Sequence, residues 1–122
     1  MEGYPIVHVE FATDNPKATG KFFAELFNWQ IETSPEFDYV MFRAGNGPGG
    51  GLSSVDNQLY RPGEALVYVG TDDIEATLAR AEELGAKTLM PKTEIPHTGW
   101  FAIFNDPSGA RVALYQNMES SE

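Results

Sequence analysis

The chain contains no cysteine and only two histidines, and its eight basic residues face eighteen acidic ones. Without cysteine there is neither a disulfide framework nor a thiolate metal site. The formal net charge of −10 argues against a nucleic-acid partner or an anionic membrane surface, since both need a basic face. The same charge is compatible with a cationic ligand, although much of it belongs to solvated helix faces. No apolar run approaches the roughly 20 residues that span a bilayer, and no basic stretch followed by an apolar one opens the chain. A cytoplasmic protein is the expectation.

What remains is a 122-residue chain with 42% hydrophobic and 12% aromatic residues. That suffices for one domain with its own core. Its main internal feature is a repeat. Residues 9–26, VEFATDNPKATGKFFAEL, slide by 58 positions without gaps onto residues 67–84, VYVGTDDIEATLARAEEL. Seven of the eighteen positions are identical: Val9/Val67, Thr13/Thr71, Asp14/Asp72, Ala18/Ala76, Thr19/Thr77, Glu25/Glu83 and Leu26/Leu84. A repeat of this kind means one supersecondary unit used twice.

Each copy reads as a strand followed by a helix. Ile6–Ala12 alternates, with Val7, Val9 and Phe11 on one face and Ile6, His8 and Glu10 on the other. Asp14-Asn15-Pro16 starts a helix, with a capping side chain just before proline. Ala18, Phe22 and Leu26, with Phe23 and Phe27, form a broad apolar stripe that ends at Asn28. In the second copy, strand Ala65–Gly70 leads through Thr71-Asp72-Asp73 into a helix with Ile74, Leu78 and Ala81 inward, ended by Gly85. Strand-like segments follow at Gln30–Thr33, Tyr39–Ala44 and Gly51–Val55, then at Lys87–Met90, Trp100–Phe104 and Arg111–Tyr115. Asp106-Pro107-Ser108-Gly109 is a turn that makes the last two strands a hairpin. The expectation is an α+β domain covering residues 1–122. Two tandem β-α-β-β-β modules, about 5–57 and 65–117, are joined by a linker at about 58–64.

The segments VHVEFATDNPKATGKFFAELFNW and FNDPSGARVALYQ, within a likeness running from Ile6 to Gln116, resemble the vicinal oxygen chelate superfamily. That group includes glyoxalases, bleomycin-resistance proteins, extradiol dioxygenases and fosfomycin-resistance proteins. The resemblance implies a curved eight-stranded sheet around a cleft, and commonly a homodimer. It also implies four metal-ligand positions, on the first and last strand of each module. Here they fall on His8, on Gly51 or Leu52, on Leu66 and on Ala113. Only His8 is a donor, while a divalent metal held by side chains wants at least three. Glu10, Ser53 and Tyr68 lie near these positions and carry oxygen, at a spacing unlike the family's. The expectation is no cofactor, with a divalent metal disfavoured.

Among single residues, His8 carries an imidazole, a group suited to proton transfer, and shares a face with Glu10. The pair either shuttles a proton, binds a cationic group, or simply makes a hydrogen bond. Arg111, Ala113 and Tyr115 share one face of the last strand. There Arg111 either pairs with Glu10 or a ligand carboxylate, or sits solvated at the rim. Tyr68, on the face of Leu66, combines apolar area with a hydroxyl, as ligand pockets often do, and Arg43 shares parity with Tyr39 and Met41. The run Gly45-Asn46-Gly47-Pro48-Gly49-Gly50-Gly51 lacks the lysine of a phosphate loop and reads as a turn, with Gly50 and Gly51 leaving room in the cleft. His97 lies on the loop 94–99, either over a ligand or merely exposed, and alternation leaves the facing of Trp100 open.

The ligand-binding set is therefore His8, Glu10, Leu66, Tyr68, Arg111, Ala113 and Tyr115. The leading expectation is a metal-independent small-molecule binding protein of the glyoxalase and bleomycin-resistance type. Two alternatives stand beside it. One is a metal-dependent enzyme, resembling lactoylglutathione lyase or an extradiol dioxygenase, with donors from His8, Glu10 and His97. The other is a metal-free enzyme with His8 or Glu10 as general base.

Overall fold

The computed structural model describes residues 3–34, 39–54 and 63–118. Val55 and most of the expected linker lie outside these residues. The elements are β1 (Ile6–Thr13), α1 (Pro16–Phe27), β2 (Gln30–Ser34), β3 (Tyr39–Arg43), β4 (Gly50–Ser54), β5 (Ala65–Gly70), α2 (Ile74–Glu83), β6 (Lys87–Ile95), β7 (Gly99–Asn105) and β8 (Arg111–Asn117). This is the expected α+β order of two β-α-β-β-β modules. Contacts gather the chain into one unit of His8–Leu66 and another of Val67 onward together with the residues up to Val7.

In the first unit the strands run in the order β2-β3-β4-β1. β3 is antiparallel to β2 and to β4, and β1 is parallel to β4 with Glu10 opposite Gly51. Alternation sends Val40, Phe42 and Leu52 to the α1 face, where Phe11, Phe23, Trp29 and Ile31 pack on them. The Trp29 and Phe42 rings stack at 4.7 Å and 14°. Val40, Phe42 and Leu52 are almost fully buried, and each contributes about 1.5–3 kcal/mol by leaving water. Ala12 N donates to Glu64 O at 3.0 Å within this unit.

The phase of α1 differs from the expected stripe. Phe22 and Leu26 are 59% and 60% exposed and Phe27 is half exposed, while Gly20 is the buried residue of the helix. A Cβ on Gly20 would come within 3.2 Å of Ile31 Cγ2 and 3.4 Å of Leu52 Cδ1 and Val40 Cγ1. The missing side chain lets the helix backbone settle on the sheet. That rotates Gly20 and Phe23 inward and Ala18, Phe22 and Leu26 outward.

In the second unit the order is β5-β8-β7-β6, with β5 parallel to β8 and the other pairs antiparallel. Ile74 and Leu78 of α2 pack on Ala102 and Leu114, with Val69, Trp100 and Phe104 around them. Trp100 is thus a core residue on the α2 face. β6 runs on to Ile95, past Pro91, with register shifts between Thr88 and Thr93. An edge strand tolerates a proline and such bulges. Asp106 Oδ1 accepts from the backbone N–H groups of Ser108 and Ala110 at 2.8 Å each, and Gly109 takes φ 100°, closing the β7–β8 hairpin.

Both helices start in the same way. Asn15 Oδ1 accepts from Ala18 N and Asp73 Oδ1 from Ala76 N, each at 3.1 Å. The caps satisfy backbone donors that helix geometry leaves unpaired. Asn28 ends α1 in the left-handed conformation, and Gly85, at φ 105°, follows α2.

Candidate functional site

The face of the first unit turned away from α1 carries Glu10 on β1, Tyr39 and Met41 on β3, and Gly51 and Ser53 on β4. Register brings them together. Gly51 lies opposite Glu10 on one side and Met41 on the other, and Ser53 lies opposite Ala12. Glu10 is 4% exposed and is the buried charged residue of the described core. A buried carboxylate is tolerated only when its oxygens are hydrogen-bonded, and here both are. Tyr39 Oη donates to Oε2 and Ser53 Oγ donates to Oε1. His8 Nε2 lies 2.6 Å from Oε2 and 3.1 Å from Tyr39 Oη.

Gly51 makes this arrangement possible. A Cβ there would overlap the Tyr39 hydroxyl and ring and come within 2.8 Å of Glu10 Oε2. The room expected at Gly51 is therefore filled by Tyr39 from the neighbouring strand. His8 Nε2 therefore shares Oε2 with the Tyr39 hydroxyl. The His8 side chain is 29% exposed against 5% for Glu10. The cluster thus has a buried carboxyl floor and an imidazole at its accessible edge. It can accept or donate a proton, or receive a polar group of a bound molecule.

Of the expected site residues, His8 and Glu10 come together, joined by Tyr39 and Ser53. Leu66 is buried in the same unit. In the second unit Tyr68 lies opposite Ala113, and Ala113 opposite Ile103. Tyr115 donates to Thr98 O at 3.2 Å, and burial pushes its hydroxyl above the usual tyrosine value. Arg111 is half-buried opposite Asn105, whereas Arg43 is exposed, with Nη2 3.9 Å from Glu32 Oε2. His97 is exposed at the tip of the β6–β7 hairpin in the left-handed conformation, φ 67°. Tyr39 is the residue that sequence reasoning passed over. Its signal was the glycine at position 51, readable only once β3 and β4 are in register.

The glycine run behaves as a turn. Gly47 N donates to Ala44 O at 3.0 Å, and β4 begins at Gly50. Of the four metal-ligand positions implied by resemblance, register puts Gly51 on the Glu10 face and Leu52 in the α1 core. Gly51, Leu66 and Ala113 offer no side-chain donor, and Glu10's oxygens are held by protein hydroxyls. Among the described residues no three His, Asp or Glu side chains gather into a group able to hold a metal ion. The residues present do not fit a divalent metal held by protein ligands.

The strand and helix order define a protein of the glyoxalase/bleomycin-resistance/dioxygenase fold. Residues 8–115 match the family described as glyoxalase-like domain, and the chain belongs to that family. It is similar to CFP32 of Mycobacterium tuberculosis, named as a candidate glyoxylase, at 26% identity over 88% of this chain and 44% of that protein. It is 31% identical to the anthracycline biosynthesis protein DnrV of Streptomyces peucetius, over 84% of this chain and 34% of DnrV. The chain thus spans less than half the length of these relatives. Among solved structures, a glyoxalase/bleomycin resistance protein/dioxygenase superfamily member from Vibrio splendidus 12B01 matches at TM-score 0.67 and 14% identity, over 94% of this chain and 100% of that one. Among the described residues no helix is long and apolar enough to cross a membrane.

Proposed function

We propose that this chain is a glyoxalase-like small-molecule binding domain whose ligand is received on the face opposite α1, at His8, Glu10, Tyr39 and Ser53, without a protein-held metal. The observation that carries the reading is a glutamate buried to 4% exposure with every carboxylate oxygen engaged and a half-buried histidine at its edge. Polar groups that converge in this way on one buried carboxylate are what ligand sites look like. Leu66 of the same unit and, within the second unit, Tyr68, Arg111, Ala113 and Tyr115 remain proposed ligand-binding residues, and the net charge of −10 favours a cationic ligand. A homodimer belongs to the same proposal, supported by the exposed Phe22 and Leu26 on α1. A monomeric mass near 13.4 kDa in light scattering at micromolar concentration would remove it.

The test is a thermal-shift screen of the wild type and His8→Ala against small molecules spanning cationic amines, carboxylates and polycyclic aromatics. A ligand at about 100 times its Kd stabilises by about 2.7 kcal/mol, which for a domain of this size moves Tm by on the order of 10 °C. Hits that stabilise the wild type should lose that shift in His8→Ala. Hits that stabilise both equally would place the ligand elsewhere.

A second reading is favoured by the direct His8–Glu10 contact, a metal-free enzyme with His8 as general base. Both Glu10 oxygens already accept hydroxyl protons, so Glu10 serves to position His8. Turnover of any screened compound should then vanish in His8→Ala and fall in Glu10→Gln.

A further inference from the structure

We infer that Tyr39 takes the place of a metal ligand in this chain. Admitted by the missing side chain of Gly51, its hydroxyl stands where a donor rising from β4 would stand, and commits His8 and Glu10 to a hydrogen-bonded cluster in place of a cation. The inference rests on the metal-free reading of this face.

Three observations carry it. Gly51 is the β4 residue in register with Glu10, so a side chain there would rise directly beside the carboxylate. That volume is occupied, because a Cβ at residue 51 would overlap the Tyr39 hydroxyl and ring. The third is the spacing within the cluster. His8 Nε2 and Glu10 Oε2 are 2.6 Å apart, with Tyr39 Oη 3.1 Å from Nε2. Two ligands bound about 2.0–2.2 Å from a tetrahedral zinc stand about 3.4 Å from one another. A separation of 2.6 Å is spanned by a proton. Oε2 takes a hydroxyl proton from Tyr39, and Oε1 takes one from Ser53, so hydroxyl donors stand at both oxygens where a cation would have to approach.

Two of three donors for a metal are therefore present, and Tyr39 is the side chain that keeps the third away. Replacing the phenol by a metal-binding group should convert the cluster into a metal site. Tyr39→His replaces the phenol by a shorter imidazole that clears the space beside Oε2, with Gly51 untouched. The double variant Tyr39→Ala/Gly51→Glu clears the phenol and raises a carboxylate from β4. Wild type and both variants would be loaded with Zn2+ or Ni2+, desalted and analysed for bound metal by mass spectrometry. Circular dichroism and a thermal melt would report folding, and the second variant covers misfolding of the first.

The expected result is trace metal in the wild type and stoichiometric metal in at least one folded variant, lost again when His8→Ala is added. Folded variants that hold no metal would overturn the inference and leave the small-molecule reading standing. Stoichiometric metal in the wild type, lost in His8→Ala, would overturn both.

Discussion

The hydroxyls of Thr13 and Thr19 meet at 2.7 Å across the start of α1, and those of Thr71 and Thr77 repeat the contact at 2.8 Å across the start of α2. Thr13 Oγ1 also accepts from Asn15 N, and Thr71 Oγ1 from Asp73 N. Four of the seven identities in the repeat, Thr13/Thr71, Asp14/Asp72, Ala18/Ala76 and Thr19/Thr77, fall in this strand-to-helix junction. The repeated sequence is largely the chemistry of starting a helix. Asn15→Ala and Asp73→Ala should each cost about 1 kcal/mol of stability. They lie in different units and share no partner, so the double variant should show the sum. Urea denaturation of the three variants checks both claims, and a cost near zero for either would mean that its cap is replaced by water.

Gly51→Ala tests the other close relationship, between residue 51 and Tyr39. The added methyl overlaps the phenol, so Tyr39 must leave Glu10 and Oε2 keeps only His8 as its partner. Overpacking and a lost hydrogen bond to a buried charge should together cost about 2–4 kcal/mol. Tyr39→Phe removes only the hydroxyl and should cost less, about 1–3 kcal/mol. Chemical denaturation of both variants gives the ranking, and a tolerated Gly51→Ala would show that the phenol has another place to go.

The strands, helices and caps were legible because each is written in local chemistry: alternation for β1, β5 and β8, and Asn15-Pro16 and Gly85 for helix ends. The phase of α1 was not legible. Ala18, Phe22, Phe23, Leu26 and Phe27 surround the helix with apolar groups, and the residue that decides the contact, Gly20, contributes no hydrophobicity to the pattern. The local pattern ends β6 at Met90, because proline is excluded from a paired strand except at an edge, and only the sheet order shows that β6 is an edge. At the site, His8 and Glu10 stand two apart on one strand and could be paired by parity alone. Tyr39 and Ser53 reach Glu10 from 29 and 43 residues away, through a parallel β1–β4 register that no local pattern reports.

His97 occupies the third position of a turn closed by Thr98 N donating to Ile95 O at 3.0 Å, with Pro96 at the second. Proline followed by a left-handed residue is the signature of a type II turn, whose third position suits glycine or asparagine. A side chain with φ 67° carries a steric cost of about 1–2 kcal/mol that glycine avoids, against about 0.4–1 kcal/mol of extra unfolded-state entropy. His97→Gly should therefore raise stability by up to about 1.6 kcal/mol, read as a higher Tm. A lower Tm would mean that the imidazole makes a contact worth more than its strain.

Tyr115 offers a test at alkaline pH. Desolvation raises its hydroxyl above the usual value of 10.0, so the folded state holds that proton more tightly than the unfolded chain does. Below about pH 10 both states are protonated and the full benefit of the neutral phenol is present. As pH rises past the unfolded value, the unfolded chain ionises first and stability falls, until the folded value is also passed. Tyr115→Phe removes this group from the linkage, at the cost of its bond to Thr98 O. Melting curves from pH 8 to about pH 11 should show the wild type losing stability more steeply than Tyr115→Phe. The two should differ least above pH 10 and most below it, because the variant lacks the hydrogen bond throughout but escapes the alkaline loss. Parallel slopes would mean that Tyr115 ionises alike in the folded and unfolded chains, and that its hydroxyl is better solvated than its burial implies.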